Sequence, residues 1–408
     1  MSEYEYSHGG NAIFEGGFDS PVALADGGAA GSTTDATLID LSANINPLGI
    51  PVGVREAIIA AIPRCDQYPD SFSRQMCRAI GRFEGLDAQW VFCGNGASDI
   101  IFRLPRATAA KKVLLSAPTF SDYERAAASF GATVIRHRLD PATGFAVDAS
   151  FVQAAWDNRP EMVFVCNPNN PTGRLTERSI IAALLEYCAA FGSWLVVDEC
   201  FLDFTAPAAS YTSKPFLAGH SQLVVLKALT KIFALPGIRL GYALSASQEL
   251  IQGLYFHGAD WPLSNLAQAA GCAALNTAET SGYLQDTISL VAAERVKMEQ
   301  QLGQLGFRMF PASANYVFLR SPFTFDLATE LNRRGIRIRR CANYHGLDSS
   351  YFRIAVAAPE LNDRLLSAVQ EVVTDNHGGT LGRPQAAATA QSSSQPPNHP
   401  QDLMEAPN

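Results

Sequence analysis

Residues 162–199 read MVFVCNPNNPTGRLTERSIIAALLEYCAAFGSWLVVDE, and this stretch decides the fold. Met162–Cys166 and Trp194–Asp198 are short apolar runs, each followed by polar or turn-forming residues. Unbroken apolar runs of this length suit strands buried on both faces. Glu177–Phe191 between them is a helical stretch. A strand, a helix and a second strand of this kind predict a mainly parallel α/β sheet.

The same alternation extends in both directions. Further strands are expected at Trp90–Cys93, Lys112–Ser116, Thr133–Arg138 and Leu223–Leu226, with helices at Ala97–Leu104, Ser121–Phe130 and Asp148–Trp156. After about residue 265 a long helix (Asn265–Leu305) leads to an α+β segment: Asn315–Leu319, the helix Asp326–Arg334, Ile336–Arg339 and Tyr351–Val356. The expected division is an N-terminal arm over 1–50, a large domain over 51–264, a small domain over 265–375 and a tail over 376–408. Residues 16–37 read as a flexible insertion in the arm. The tail, with QSSSQPPNHP and few large apolar residues, cannot offset its ordering entropy and reads as disordered.

Composition narrows the function. The chain has 408 residues, 47% of them hydrophobic and 17% charged, which suits a folded protein with a sizeable core. A net charge of −8 argues against general nucleic-acid or membrane-surface binding. The start, MSEYEYSHGGN, lacks a basic and an apolar region, so no secretory signal is expected. Neither does any apolar run reach the roughly 18–20 residues of a membrane span. The eight cysteines are scattered without a C-x-x-C pair. That pattern fits reduced thiols in a cytoplasmic protein and gives no metal site.

In open α/β sheets the ligand lies beyond the carboxyl ends of the strands. Four polar loops fall there. Gly94-Asn95-Gly96-Ala97-Ser98 runs from a strand into a helix, where free N–H groups can meet an anion, although a plain tight turn would read the same. Asn170-Pro171-Thr172-Gly173 follows a second strand and could be an ordinary proline turn. Asp198 ends WLVVD, and a carboxylate there is costly to bury without a cationic partner. Lys231 lies in the apolar stretch LTKIFALPG. A desolvated lysine is a nucleophilic amine suited to a Schiff base, although a lone lysine can also snorkel to solvent.

The order Asn170, Asp198, Lys231, Arg239 resembles the fold-type I aminotransferases, which use pyridoxal phosphate, over about residues 38–372. The resemblance implies a mainly parallel seven-stranded sheet in a large domain plus a smaller α+β domain. It makes Lys231 the amine that binds the cofactor aldehyde and Asp198 the partner of the pyridinium nitrogen. Asn170 would donate to the phenolic oxygen, and Phe120 would stack on the ring. Arg239 and the loop Gly94, Asn95, Gly96, Ala97 would hold the cofactor phosphate, with Tyr68 reaching it from a partner subunit in a homodimer. Arg353 in YFRIAVA would take the substrate carboxylate as a bidentate fork. Two positions depart from the pattern. Phe201 replaces the usual tyrosine three residues after the aspartate. Ala228 replaces the usual hydroxyl residue before the lysine, leaving Thr230 to supply it. Lys227 has no assigned role and reads as a solvated strand end.

Three segments narrow the choice: His8-Gly9-Gly10-Asn11, Leu41–Gly49 (LSANINPLG) and Arg339–Tyr344 (RRCANY). With DECFLDF (198–204) they resemble the branch of the family acting on phosphorylated amino acids or amines, by decarboxylation or, alternatively, by transamination. A second anion site is then expected from His8, Asn44 and Arg339. A solvated histidine, a turn asparagine and a basic strand edge are the plain alternatives. In RRGIRIRR (333–340), however, Ile336 and Ile338 share one face, and Arg337 and Arg339 the other.

Overall fold

The computed structural model describes residues 38–377. His8, the expected insertion at 16–37 and all but the first two residues of the expected tail lie outside the described residues. The described chain opens with β1 (Ile39–Asp40), α1 (Val52–Ala61) and α2 (Arg74–Glu84). Strand and helix then alternate through β2 (Val91–Asn95), α3 (Gly96–Ala107), β3 (Lys112–Ala117), α4 (Ser121–Ser129), β4 (Thr133–Arg138), α5 (Ala149–Asn158), β5 (Met162–Cys166), α6 (Arg178–Phe191) and β6 (Trp194–Asp198). Next come α7 (Ala208–Tyr211), β7 (Leu223–Ala228), α8 (Leu229–Ile232), β8 (Leu240–Leu244), α9 (Gln248–Phe256), α10 (Asn265–Thr280) and α11 (Tyr283–Gln304). The last third holds β9 (Arg308–Phe310), β10 (Tyr316–Arg320), α12 (Leu327–Arg333), β11 (Ile336–Arg337), β12 (Arg339–Arg340), β13 (Tyr351–Ala355) and α13 (Pro359–His377).

The large sheet has seven strands in the order β2-β8-β7-β6-β5-β3-β4. The pairs from β7 through β6, β5 and β3 to β4 are parallel, and β8 runs against both of its neighbours. Successive residues of β5 enter different cores: Met162, Phe164 and Cys166 join one apolar cluster, Val163 and Val165 the other. This is why the strand is apolar without alternation. Each such buried Val, Leu or Phe side chain contributes about 1.5–3 kcal/mol of transfer free energy.

The small lobe is a four-stranded antiparallel sheet, β12-β13-β10-β9, packed with α11, α12 and α13. β1 pairs with β11, so the chain's first described residues belong to this lobe. Ile336–Arg339, expected as one strand, divides between β11 and β12, which lie in different sheets. The helix expected over 265–305 is two helices. Ser281 adopts an extended conformation after α10 and Gly282 caps α11, at a Ser-Gly pair of low helix propensity. Ala267, Ala270, Ala274 and Leu275 of α10 share the core of the large sheet. The expected boundary after residue 264 therefore does not coincide with a boundary between cores. The expected tail start at 376 also falls inside α13.

Candidate active site

Parallel pairing brings the carboxyl ends of β3, β5, β6 and β7 to one edge, and β2 ends there too because β8 reverses between it and β7. β8 begins at that same edge, which puts Arg239 beside loop 94–98. The crossing strands thus gather residues that the sequence scatters from Gly94 to Arg239.

Lys231 lies in α8 and is half-buried. Burial, then the positive Arg353 and Arg239, push its amine down to about 8. A fraction of neutral amine is therefore present at neutral pH, as a carbonyl-trapping lysine requires. The LSANINPLG segment fixes this turn: Asn46 N–H donates to the Lys231 carbonyl at 3.2 Å, and Asn46 Nδ2 donates to the Ile232 carbonyl at 2.6 Å and to Thr287 Oγ1 at 2.8 Å. Thr230, the expected phosphate hydroxyl, is buried just before the lysine.

Asp198 is buried at the end of β6. Tyr123 Oη donates to its Oδ2 at 2.6 Å, and Cys200 N–H to its Oδ1 at 3.0 Å. Burial raises its carboxyl pKa, and among the described residues it has no ion-pair partner. A protonated ring nitrogen would supply that missing cation. Phe120 precedes α4, its ring edge-on to Tyr123 at 5.6 Å. Phe201 packs edge-on against Tyr316 at 5.4 Å, so the family's second phenolic donor has no counterpart here.

The loop expected to hold the cofactor phosphate is built from close backbone approach. A Cβ on Gly96 would stand 2.6 Å from Arg239 Nη2, and one on Gly241 only 2.4 Å from the Ala97 nitrogen. Gly96 also has φ +79°, in the region that favours glycine. Gly96, Ala97 and Ser98 open α3 and present the donors of its first turn. Asn95 fits less well than expected, since its N–H already donates to Asp99 Oδ2 at 3.0 Å. The Arg239 guanidinium thus lies against Gly96 at the start of α3, where a cation and free N–H groups together could meet an anion.

On the substrate side, Asn170 Oδ1 accepts from Arg353 Nη1 at 2.6 Å and from Tyr344 Oη at 3.4 Å, which leaves its amide NH2 to donate. The neighbouring asparagines are structural. Asn167 and Asn169 tie the loop to Thr176, Thr172, Pro118 and Tyr211. Arg353 is buried, donates from Nη2 to the Ser42 carbonyl at 2.9 Å, and leaves its buried Nε without a partner. An orphaned guanidinium N–H costs free energy until a ligand meets it, and a carboxylate would. Arg339 stands directly opposite Arg353 across the β12–β13 pair, so both side chains leave the same face of the sheet. It is half-buried, donates to Asn343 Oδ1 at 3.0 Å and lies over the Tyr344 ring. Asn44 is buried, and its orphaned atom is Oδ1, an acceptor. Its Nδ2 has no partner within the described residues and is open to donate to an anion.

One expectation changes. Lys227 is not a solvated strand end. It is buried, with Nζ 2.7 Å from Asp203 Oδ1 and 3.1 Å from Glu84 Oε1. Tyr68, expected to act on a partner subunit's site, is 81% exposed and stacks on Trp261 at 4.4 Å. Tyr123, Tyr344 and Asn46 are site residues that the sequence reading missed. Tyr123 had a signal, standing one helical turn beyond Phe120 at the start of α4.

Comparison with known proteins agrees with this geometry. The model of the family "Aminotransferase class I and II" matches residues 36–369. The threonine-phosphate decarboxylase of Salmonella typhimurium is 34% identical over 83% of this chain and 92% of its own. The structure of the histidinol-phosphate aminotransferase from Clostridium acetobutylicum superposes with a TM-score of 0.77 at 30% identity, covering 83% of this chain and all of that one. The Sinorhizobium meliloti histidinol-phosphate aminotransferase, solved in complex with pyridoxal-5'-phosphate, covers 82% of this chain and 90% of its own at 20% identity with a TM-score of 0.71. With 334 consecutive residues under the family model, the chain belongs to the pyridoxal-phosphate-dependent class I and II aminotransferase family, in the fold-type I architecture.

Proposed function

We propose that the chain decarboxylates L-threonine O-3-phosphate to (R)-1-aminopropan-2-yl phosphate, a step toward cobalamin. The observation that carries this reading is the Arg339–Arg353 pair. Two guanidinium groups leave one face of the β12–β13 ribbon, one buried with an orphaned Nε and one open toward solvent. That spacing suits a substrate with a carboxylate and a phosphate on one short skeleton. The 34% identity to a threonine-phosphate decarboxylase points the same way. Transamination of histidinol phosphate or a similar amine is the second reading, favoured by the 30% identical aminotransferase structure.

When bound, pyridoxal phosphate supplies an aldehyde for amines and a ring that accepts the electrons of a broken bond at Cα. Lys231 would hold it, Asp198 would keep the ring nitrogen protonated, and Asn170 would donate to the phenolic oxygen. Arg239 with the first turn of α3 would hold its phosphate. Arg353 would grip the substrate carboxylate and Arg339 its phosphate, and these two anchors would set which bond at Cα is presented for breaking. Presentation of the Cα–carboxylate bond would give carbon dioxide. Lys231 Nζ, poised near pH 8, then delivers one proton to Cα. Tyr68 and the exposed Val52, Phe256 and Trp261 support a homodimer in which Tyr68 reaches the partner's cofactor phosphate. Eight unpaired cysteines support a cytoplasmic location.

The test is holoenzyme with threonine phosphate and no keto acid. Carbon dioxide and the phosphorylated amino alcohol are expected, without build-up of pyridoxamine phosphate. Pyridoxamine phosphate formed without carbon dioxide would establish the transaminase instead.

A further inference from the structure

Behind the loop proposed to hold the cofactor phosphate, α2 and β2 bring two thiols together. Cys77 Sγ lies 3.7 Å from Cys93 Sγ. Cys93 is wholly buried, whereas Cys77 lines a surface cleft of about 350 Å3 whose walls include Phe72, Arg74, Arg78, Gln89, Gln252 and Tyr255. The Phe72 and Val91 carbonyls flank Cys77 Sγ at 3.5 and 3.6 Å and hold its position. Cys93 immediately precedes Gly94, where that loop begins.

The two thiols also differ in acidity. The hydrogen bond from Cys93 lowers Cys77, while the same bond and burial raise Cys93. The member of the pair at the cleft is thus the one that ionises, and the buried member is the one left to resolve.

We propose that Cys77 and Cys93 form a dithiol modification site, converted by hydrogen peroxide into an intrachain disulfide. Peroxide reaches Cys77 through the cleft. The Cys77 thiolate attacks one peroxide oxygen, the O–O bond breaks, and hydroxide leaves, which gives a sulfenic acid at Cys77. Cys93 then loses its proton and attacks the Cys77 sulfur, and the sulfenic oxygen departs as water. Two thiols lose two electrons, peroxide gains them, and one disulfide and two waters result. The sulfurs must close from 3.7 Å to about 2.05 Å. Such a bond would tie α2 to the strand that ends in that loop. The inference does not depend on which reaction the enzyme performs.

The experiment uses the full-length holoenzyme, treated with equimolar hydrogen peroxide, then denatured, alkylated with N-ethylmaleimide and mapped by mass spectrometry. The expected result is a linked peptide pair carrying Cys77 and Cys93, two hydrogens lighter than the dithiol and released by dithiothreitol. In Cys77→Ser the link disappears and Cys93 is recovered alkylated. The same map on Cys77→Ala covers a folding failure of the serine variant. Recovery of both thiols alkylated in the wild-type protein, with oxidation confined to the exposed Cys65, overturns the proposal. So does a link that forms only after denaturation.

Discussion

Lys227 and Lys231 stand four residues apart, one at the end of β7 and the other in α8, yet they have opposite electrostatics. Burial works against the charged form of both. Around Lys227 the carboxylates of Asp203 and Glu84 overcome that penalty and hold its ammonium above the ordinary lysine range. Glu84 in turn is held down to about 2: burial opposes its charge, but Lys227 and Lys214 outweigh it, and Tyr242 adds a hydrogen bond. Around Lys231 the charged neighbours are Arg353 and Arg239, so the field adds to the burial and the amine falls to about 8. The lesson is that depth alone does not make a lysine nucleophilic. The sign of the charges beside it does, and here the two arginines proposed as anion anchors also lower the amine.

The sharpest way to break this comparison is to remove each lysine. Lys231→Ala is expected to lower kcat/KM on the order of 10⁴-fold and to abolish the visible absorbance of bound cofactor, with urea stability little changed. Lys227→Met should do the reverse. It leaves Glu84 and Asp203 short of a buried cation and costs about 3–5 kcal/mol of stability, read by urea unfolding, while the spectrum of the remaining folded holoenzyme persists. That loss is pH-dependent. Glu84 is depressed from its ordinary 4.5 to about 2, so its contribution is complete above about pH 5 and fades as pH falls toward 2. The stability gap between wild type and variant should narrow over the same range.

Smaller effects sharpen the anchor side. Arg339→Ala should raise KM for threonine phosphate about 10–100-fold, the cost of one charge-assisted contact, with cofactor absorbance intact. Collapse of cofactor binding with KM unchanged would move Arg339 from substrate to cofactor. Tyr123→Phe removes one donor from the buried Asp198, worth about 1.5–3 kcal/mol to the charged form. Its carboxyl pKa should rise further, and the acid limb of the kcat/KM profile should shift to higher pH.

The legible parts of the chain were those written in local pattern. β5 and β6 are visible from Met162–Cys166 and Trp194–Asp198 because both faces of each are buried, and no alternation disguises them. Asn170, Asp198, Lys231 and Arg239 are visible because each follows or precedes such a strand at the ligand edge. Lys227 was misread because its partners, Glu84 and Asp203, come from α2 and from the segment after β6, which only the folded sheet brings together. The Arg339–Arg353 pairing depends on strand register across the ten-residue connection 341–350, and composition is silent on register. Helices α10 and α11 fused in the reading because apolar spacing continues through Ser281-Gly282.

The most direct measurement is borohydride reduction of the holoenzyme followed by peptide mapping. The account predicts a phosphopyridoxyl group on Lys231 and unmodified Lys227 and Lys214. An unmodified Lys231, with the label on either of the other two lysines, would contradict it.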